Sequence, residues 1–239
     1  MVLVGRRAIG NVTDFVELVS IDYACKRAGG PIADWTTAKF QSLQTGDKLY
    51  IVGHGAIGLI GDFSAEDLVD ALTNGPRALA KDIVIDIIFT SCNAGLADPA
   101  TDSTVTQLRK GLEAAGYKGA RVMGACGASV KADVTGTEYA VIDPDPAKES
   151  KAFQIQGRLK RLLRPQEKLD DWLATPEGSS APIQKRAEYA AAISQQFYAQ
   201  FTAEIKNEHL VLDHKQSISS QRTSGLSPKV AMLVRKFGG

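Results

Sequence analysis

Two apolar runs, each ending in a cluster of small polar residues, constrain this chain more than anything else in it. Lys48-Leu49-Tyr50-Ile51-Val52 leads into Gly53-His54-Gly55, and Ile83-Val84-Ile85-Asp86-Ile87-Ile88-Phe89 leads into Thr90-Ser91-Cys92-Asn93-Ala94-Gly95. Short apolar runs bounded by glycine and small polar residues read as buried strands of a parallel sheet. Open α/β sheets place their sites just beyond the carboxyl ends of such strands. One strand therefore carries an imidazole to that edge and another carries a thiol, the pairing of a cysteine nucleophile with its base. His54 and Cys92 are too distant in sequence for one local motif. Two neighbouring parallel strands joined by a right-handed crossover through a helix would bring them to one edge.

The surrounding pattern suits that arrangement. Residues 1 to about 150 alternate strand-like runs with helical patterns, as an α/β domain does. Residues 16–21 read as a first strand and 34–43 as a short helix, with Gly46-Asp47 turning into the histidine strand. Ser64 is the expected N-cap of a helix containing Glu66, Asp67, Leu68, Val69, Ala71 and Leu72, which Asn74-Gly75-Pro76 ends. A helix over 104–115, stopped by Gly116, precedes a strand over 120–125 and a hairpin over 129–142. Asp143-Pro144-Asp145-Pro146 then punctuates the chain. Residues 151–239 read as a helical accessory region: helices over 152–163, 167–173 and 182–207, a loop over 176–180, and a polar, then basic tail expected to be partly mobile. The fold class expected is thus α/β, a mostly parallel sheet flanked by helices, with a C-terminal helical region.

Composition narrows the setting. The 239 residues are 44% hydrophobic and 23% charged with a formal net charge of +1, which points to neither nucleic acid nor membrane as a partner. No apolar run approaches the roughly 20 residues that span a bilayer, and the start lacks the order of a cleaved secretory signal. A cytoplasmic location, or secretion without a cleaved signal into a target cell, is expected. Three cysteines (Cys25, Cys92, Cys126) make no disulfide framework. His209 and His214 do not share a helical face, and no metal centre is expected.

Two competing motifs fall short. Gly53-His54-Gly55-Ala56-Ile57-Gly58 matches the glycine pattern of a dinucleotide-binding turn. That turn requires a helix to open within the glycines, whereas here Gly61 and Asp62 intervene before the cap at Ser64. Thr90-Ser91-Cys92-Asn93-Ala94-Gly95 does not supply the G-x-S-x-G of a serine hydrolase elbow. Gly55, having no Cβ, lets its N–H approach a substrate. With the N–H of Cys92 it forms a candidate oxyanion hole.

In these residues the chain resembles the caspase-like cysteine peptidases, whose shared pattern is one apolar strand ending in His-Gly and another ending in a small residue and Cys. Gly53-His54-Gly55 and Thr90-Ser91-Cys92-Asn93, with their short separation, look most like the autoprocessing cysteine protease domains of large bacterial toxins. The resemblance covers about residues 45 to 142. It implies a catalytic dyad of His54 and Cys92, an oxyanion hole from Gly55 and Cys92, and substrate binding by Ala125, Cys126, Gly127 and Ser129, where an extended peptide adds as a strand. A protein or peptide substrate is implied, with cleavage of the chain's own loops 98–103 and 176–181 as one form of it. No cofactor is expected for this chain, although the toxin domains it resembles are switched on by inositol hexakisphosphate. Lys148, Lys151, Arg158, Lys160, Arg161 and Arg164 are the cations that would meet it here, against the plainer reading of a solvated helix face opposite Leu159, Leu162 and Leu163. Unlike those domains, this chain carries a long helical region, which would restrain the site or bind a protein partner. The alternative from another class is a non-catalytic interaction protein that keeps the fold.

Overall fold

A computed structural model describes residues 1–97, 99–125, 141–142 and 146–212. The chain opens directly on a strand, β1 (Val2–Val4), followed by helix α1 (Phe15–Ala28) and a short strand β2 (Ile32–Ala33). Strand β3 (Lys48–Val52) runs into a meander of β4 (Gly55–Ala56), β5 (Leu59–Ile60) and β6 (Phe63–Ser64), which feeds helix α2 (Ala65–Thr73). Strand β7 (Ile85–Phe89), helix α3 (Thr104–Ala114) and strand β8 (Ala120–Met123) complete the α/β alternation. The rest comprises β9 (Val141–Ile142), α4 (Pro146–Leu163), α5 (Pro165–Leu173), α6 (Pro176–Ser180), α7 (Ile183–Asn207) and β10 (Val211–Leu212), the last paired antiparallel with β9.

Five strands form one parallel sheet in the order β2-β1-β3-β7-β8. The chain winds outward in one direction from β1 to β2, then returns to β3 and continues the other way. The reversal falls between β1 and β3, which is the switch point at which doubly wound sheets bind their ligands. Side chains alternate between the faces with the two-residue period of a strand. Val2, Val4, Tyr50 and Val52 enter the core beneath α1, while Leu3, Leu49, Ile51, Ile85 and Ile87 enter the core beneath α2 and α3.

On the first face, α1 alone leaves Tyr50 and Val52 short of cover. The C-terminal helices supply it: Ala152, Leu159, Leu169, Phe197, Phe201 and Ile205 share one core with α1, β1 and β3. The core on this face therefore joins residues from both sides of residue 150.

Several sequence expectations are met. Ser64 caps α2 through a reciprocal box with Asp67, and the helix ends at Asn74 before Gly75 with φ +80°. Helix α3 starts at its Ser103 cap, and Gly116 follows it in the left-handed region.

Others are corrected. Residues 16–21, expected as a strand, lie within α1, whose Asp14 cap accepts from the Glu17 N–H at 2.8 Å and whose end is closed by Gly29. The helix lies between sheet and α7, so Phe15, Leu18, Val19, Ile21, Tyr23 and Ala24 are all buried. A helix covered nearly all round loses its polar stripe and reads as a short apolar run. The first strand is instead β1, at the very start of the chain. Residues 34–43 form no α-helix. Asp34 Oδ1 accepts from the N–H and hydroxyl groups of Thr36 and Thr37, and only Phe40–Ser42 makes a 3-10 turn. Pro176–Ser180 is a helical turn rather than an open loop. The expected hairpin lies outside the described residues except for Val141–Ile142, and the expected mobile tail lies outside them altogether.

Candidate functional site

Strands β3 and β7 lie side by side, with Ile51 opposite Phe89, and the ladder runs one residue further, where the Thr90 N–H donates to the Ile51 carbonyl at 2.9 Å. The two turns that follow therefore leave the sheet together. They also touch: a Cβ built on Gly55 would sit 2.0 Å from the Cys92 carbonyl oxygen and 3.0 Å from Ser91 Cβ. Only glycine permits the His54 turn to lie this close to the Cys92 turn.

His54 is anchored by the meander. Its carbonyl accepts from the Gly61 N–H at 2.7 Å, and the Asp62 N–H donates to Gly5 at the end of β1 at 2.9 Å. Gly61, at φ +57°, packs so tightly that a Cβ would lie 1.9 Å from the Gly5 carbonyl oxygen. Residues Ala56 and Leu59 flank the two-residue turn Ile57-Gly58. Hydrogen-bonded and non-bonded positions alternate in an antiparallel ladder. With His54–Gly61 hydrogen-bonded, Gly55 takes the alternate position and its N–H points away from β5.

The imidazole has a partner that the sequence reading missed. His54 Nε2 lies 3.0 Å from Asp14 Oδ1, the same oxygen that caps α1. This hydrogen bond raises His54 above its ordinary pKa against the opposing effect of partial burial, and the Asp14 charge adds to it. Burial works against ionisation of Asp14, yet the bonds from His54 and from the Glu17 N–H hold it below its ordinary value. With Nε2 committed to Asp14, the neutral ring keeps Nδ1 as its proton acceptor. Behind Asp14, Glu17 is buried and held by Arg6 at 3.0–3.1 Å, and Arg6 also reaches Asp62 at 3.2 Å. The signal for Asp14 was present in Asp14-x-x-Glu17, a helix-start pattern, but the strand reading of residues 16–21 hid it.

Asp14, Glu17 and His54 bring their ligand atoms within 4.8 Å of one another. The Arg6 guanidinium already supplies the cation for Glu17 there. An open cleft of roughly 310 Å³, lined by Arg6, Arg7, Asn11, Asp14, Glu17 and Asp62, lies at the switch-point end of β1 and adjoins His54 through Asp14.

Cys92 is half-buried and packs against the core that contains α1 and α7. Its neighbours are under tension. Asn93 adopts φ +57°, and among the described residues Ser91 Oγ and Asn93 Oδ1 are buried without a hydrogen-bond partner. Unsatisfied groups and left-handed backbone cluster where structure is held for a task other than stability. The loop is nonetheless pinned, by Gly95 N–H to the Ala125 carbonyl at 2.8 Å and Val105 N–H to the Ala94 carbonyl at 2.9 Å. Ala125, expected to bind substrate, is thus buried beside the cysteine loop. Cys126, Gly127 and Ser129 lie outside the described residues.

Of the cations considered for a polyanion, Lys151 pairs with Glu208, Arg158 with Glu204 and Arg164 with Glu167. The expected apolar stripe of that helix is also corrected: Leu159 is buried, but Leu162 is 69% exposed. The glycine pattern beginning at Gly53 opens a meander, and the helix starts only at Ala65. Among the described residues, no helix is long and apolar enough to cross a membrane. Comparison of the chain with protein-family models, with curated proteins and with solved structures finds no match.

Proposed function

We propose that this protein is a cysteine endopeptidase of the caspase-like kind, with Cys92 as nucleophile, His54 as base and Asp14 orienting the imidazole. The observation that carries the reading is the juxtaposition of two adjacent strand ends. The Gly55 peptide rests on the Cys92 peptide, and the Asp14 carboxylate at the start of α1 holds the imidazole of the residue before Gly55.

In the reaction, Cys92 Sγ forms a bond to the scissile carbonyl carbon as its proton passes to His54. The carbonyl oxygen becomes an oxyanion facing the N–H groups of Gly55 and Cys92, a contribution of about 3 kcal/mol in comparable sites. Collapse expels the amine, which leaves with the proton from His54, and a thioester remains on Cys92. Water, giving its proton to His54, then attacks the thioester. The acid product departs and the thiol regains its proton. The bond from Asp14 steadies the imidazolium formed in both halves.

The substrate is a protein or peptide, and the setting is cytoplasmic or, after delivery without a cleaved signal, inside a target cell. Self-cleavage belongs to the same reading, but Pro176–Ser180 is a poor place for it. Gly178 there is buried, and a Cβ on it would lie 2.1 Å from the Trp172 carbonyl oxygen.

The test is covalent labelling by an irreversible thiol-directed peptide inhibitor, together with cleavage of a peptide library. Cys92→Ala abolishes both, whereas Cys126→Ala keeps the label on Cys92. Equal labelling of the two variants, or no Cys92-dependent cleavage of any peptide, would overturn the assignment.

A further inference from the structure

We infer that Gln166, in the first turn of α5, is the positioning residue for Asp14: its amide binds the peptide groups on both sides of Asp14 and so aims that carboxylate at His54. The inference rests on the reading of Asp14 as the group that orients the imidazole, and it traces that orientation to the C-terminal region.

The geometry starts where α4 ends. Arg164 adopts φ +49° and Pro165 opens α5, with Pro165 and Leu169 buried. Gln166, the second residue of the new helix, thereby meets the start of α1. Its Oε1 accepts from the Phe15 N–H at 2.8 Å, and its Nε2 donates to the Thr13 carbonyl at 3.0 Å. Nε2 also donates to Asp170 Oδ1, one turn further on, at 2.8 Å. Only one orientation of the amide satisfies these partners, since reversing it would set its oxygen against two other oxygens.

The Thr13 carbonyl belongs to the peptide before Asp14, and the Phe15 N–H to the peptide after it. Between those planar groups lie only the φ of −70° and the ψ of 126° that direct the Asp14 side chain. With both peptides held, Asp14 Oδ1 stays 3.0 Å from His54 Nε2 while it caps α1 through the Glu17 N–H. Phe15 is the first residue of α1, so its N–H has no partner within the helix. A side chain that only completed the helix end could bind this N–H alone. The second bond, to Thr13, lies outside the helix and fixes the entry to Asp14.

The titratable groups around the Asp14–His54 pair are Arg6 after β1, Glu17 of α1, Asp62 of the meander, Lys160 of α4, Asp170 of α5 and Tyr198 of α7. Gln166→Met leaves every one of them in place. It also keeps the length of a half-buried side chain, so the core is undisturbed. What it removes is the pair of bonds to the peptides flanking Asp14.

The experiment follows the His54 ring protons by NMR through their titration in the full-length parent, Gln166→Met, Asp14→Asn and the double variant, beside hydrogen exchange of the Phe15 amide. Ile85→Val, which thins the core on the opposite face of the sheet, is the control for lost stability. Gln166→Met is expected to lower the His54 midpoint, though not below that of Asp14→Asn, because the bond that raises it is loosened rather than stripped of its charge. In the Asp14→Asn background the same exchange should leave the midpoint where it was. The Phe15 amide should exchange about fivefold faster in Gln166→Met, as loss of one bond of ordinary strength dictates. Ile85→Val should melt earlier with the midpoint unmoved. The inference is overturned by a Gln166→Met midpoint or Phe15 exchange that coincides with the parent's, by an equal fall in both backgrounds, or by an equal fall in Ile85→Val. The titration needs neither Cys92 nor a peptide substrate, so its failure is distinguishable from a failure to find Cys92-dependent cleavage.

Discussion

Replacing Asp14 by Asn removes a charge and almost nothing else, which makes it the sharpest probe of the His54 environment. Asp14 Oδ1 serves two groups, the Glu17 N–H at 2.8 Å and His54 Nε2 at 3.0 Å. Asparagine keeps a carbonyl oxygen and caps helices about as well as aspartate, so α1 retains its start. What disappears is the attraction between carboxylate and imidazolium. The two side chains are 41% and 55% exposed. Solvent screening then limits the pair to about 0.5–1 kcal/mol. The sign follows from both partners. His54, raised in the folded state, adds stability that is complete below its unfolded value of about 6.5 and is lost as pH rises through the folded value. Asp14, lowered in the folded state, adds stability present above its unfolded value of about 3.9 and lost as pH falls through the folded value. The parent's advantage over Asp14→Asn in urea unfolding is therefore greatest between about pH 4 and 6.5 and vanishes in alkali. Ring-proton NMR should place the His54 midpoint lower in the variant than in the parent, because the Asp14 bond that raises it has lost its charge. Asp14→Ala, which also loses the cap, should be weaker by about 1 kcal/mol more at every pH. An unmoved His54 midpoint, or a stability gap that ignores pH, would refute the reasoning.

Two further outcomes follow from packing. Gly55→Ala forces a methyl group to within 2.0 Å of the Cys92 carbonyl oxygen and should cost about 1–3 kcal/mol, seen as a melting temperature lower by about 2–4 °C for each kcal/mol. Gly10→Ala, with nothing within 4 Å of the new carbon, should melt with the parent, and equal melting of both variants would disprove the contact. A fragment ending at residue 150 lacks Phe197, Phe201 and Ile205 from the core beneath β1 and β3. Losing large core side chains costs about 3–5 kcal/mol each, enough to exhaust a typical stability of about 5–15 kcal/mol. The fragment should show no cooperative urea transition, and a sigmoidal one would show that the α/β layer stands alone.

Residues with strong local signals were legible. The β3 and β7 runs, the Ser64 cap and Gly116 each rest on chemistry within a few positions, so pattern and position agree. The error over α1 has the opposite origin. Its apolar residues face sheet on one side and α7 on the other, and burial on both sides erases the periodicity that distinguishes helix from strand. Misreading α1 concealed Asp14, because a capping aspartate is recognised only once its helix is.

Local chemistry thus settled that a thiol and an imidazole stand at strand ends in an α/β sheet. Packing at long range settled their company. The carboxylate on His54 comes from the cap of α1, the close contact at Gly55 from the meander folding back on β1, and the core against which Cys92 packs from α1 together with helices well downstream. Such contacts depend on which faces are left uncovered after the sheet has wound in both directions, a property of the assembled layers and not of any short stretch of chain.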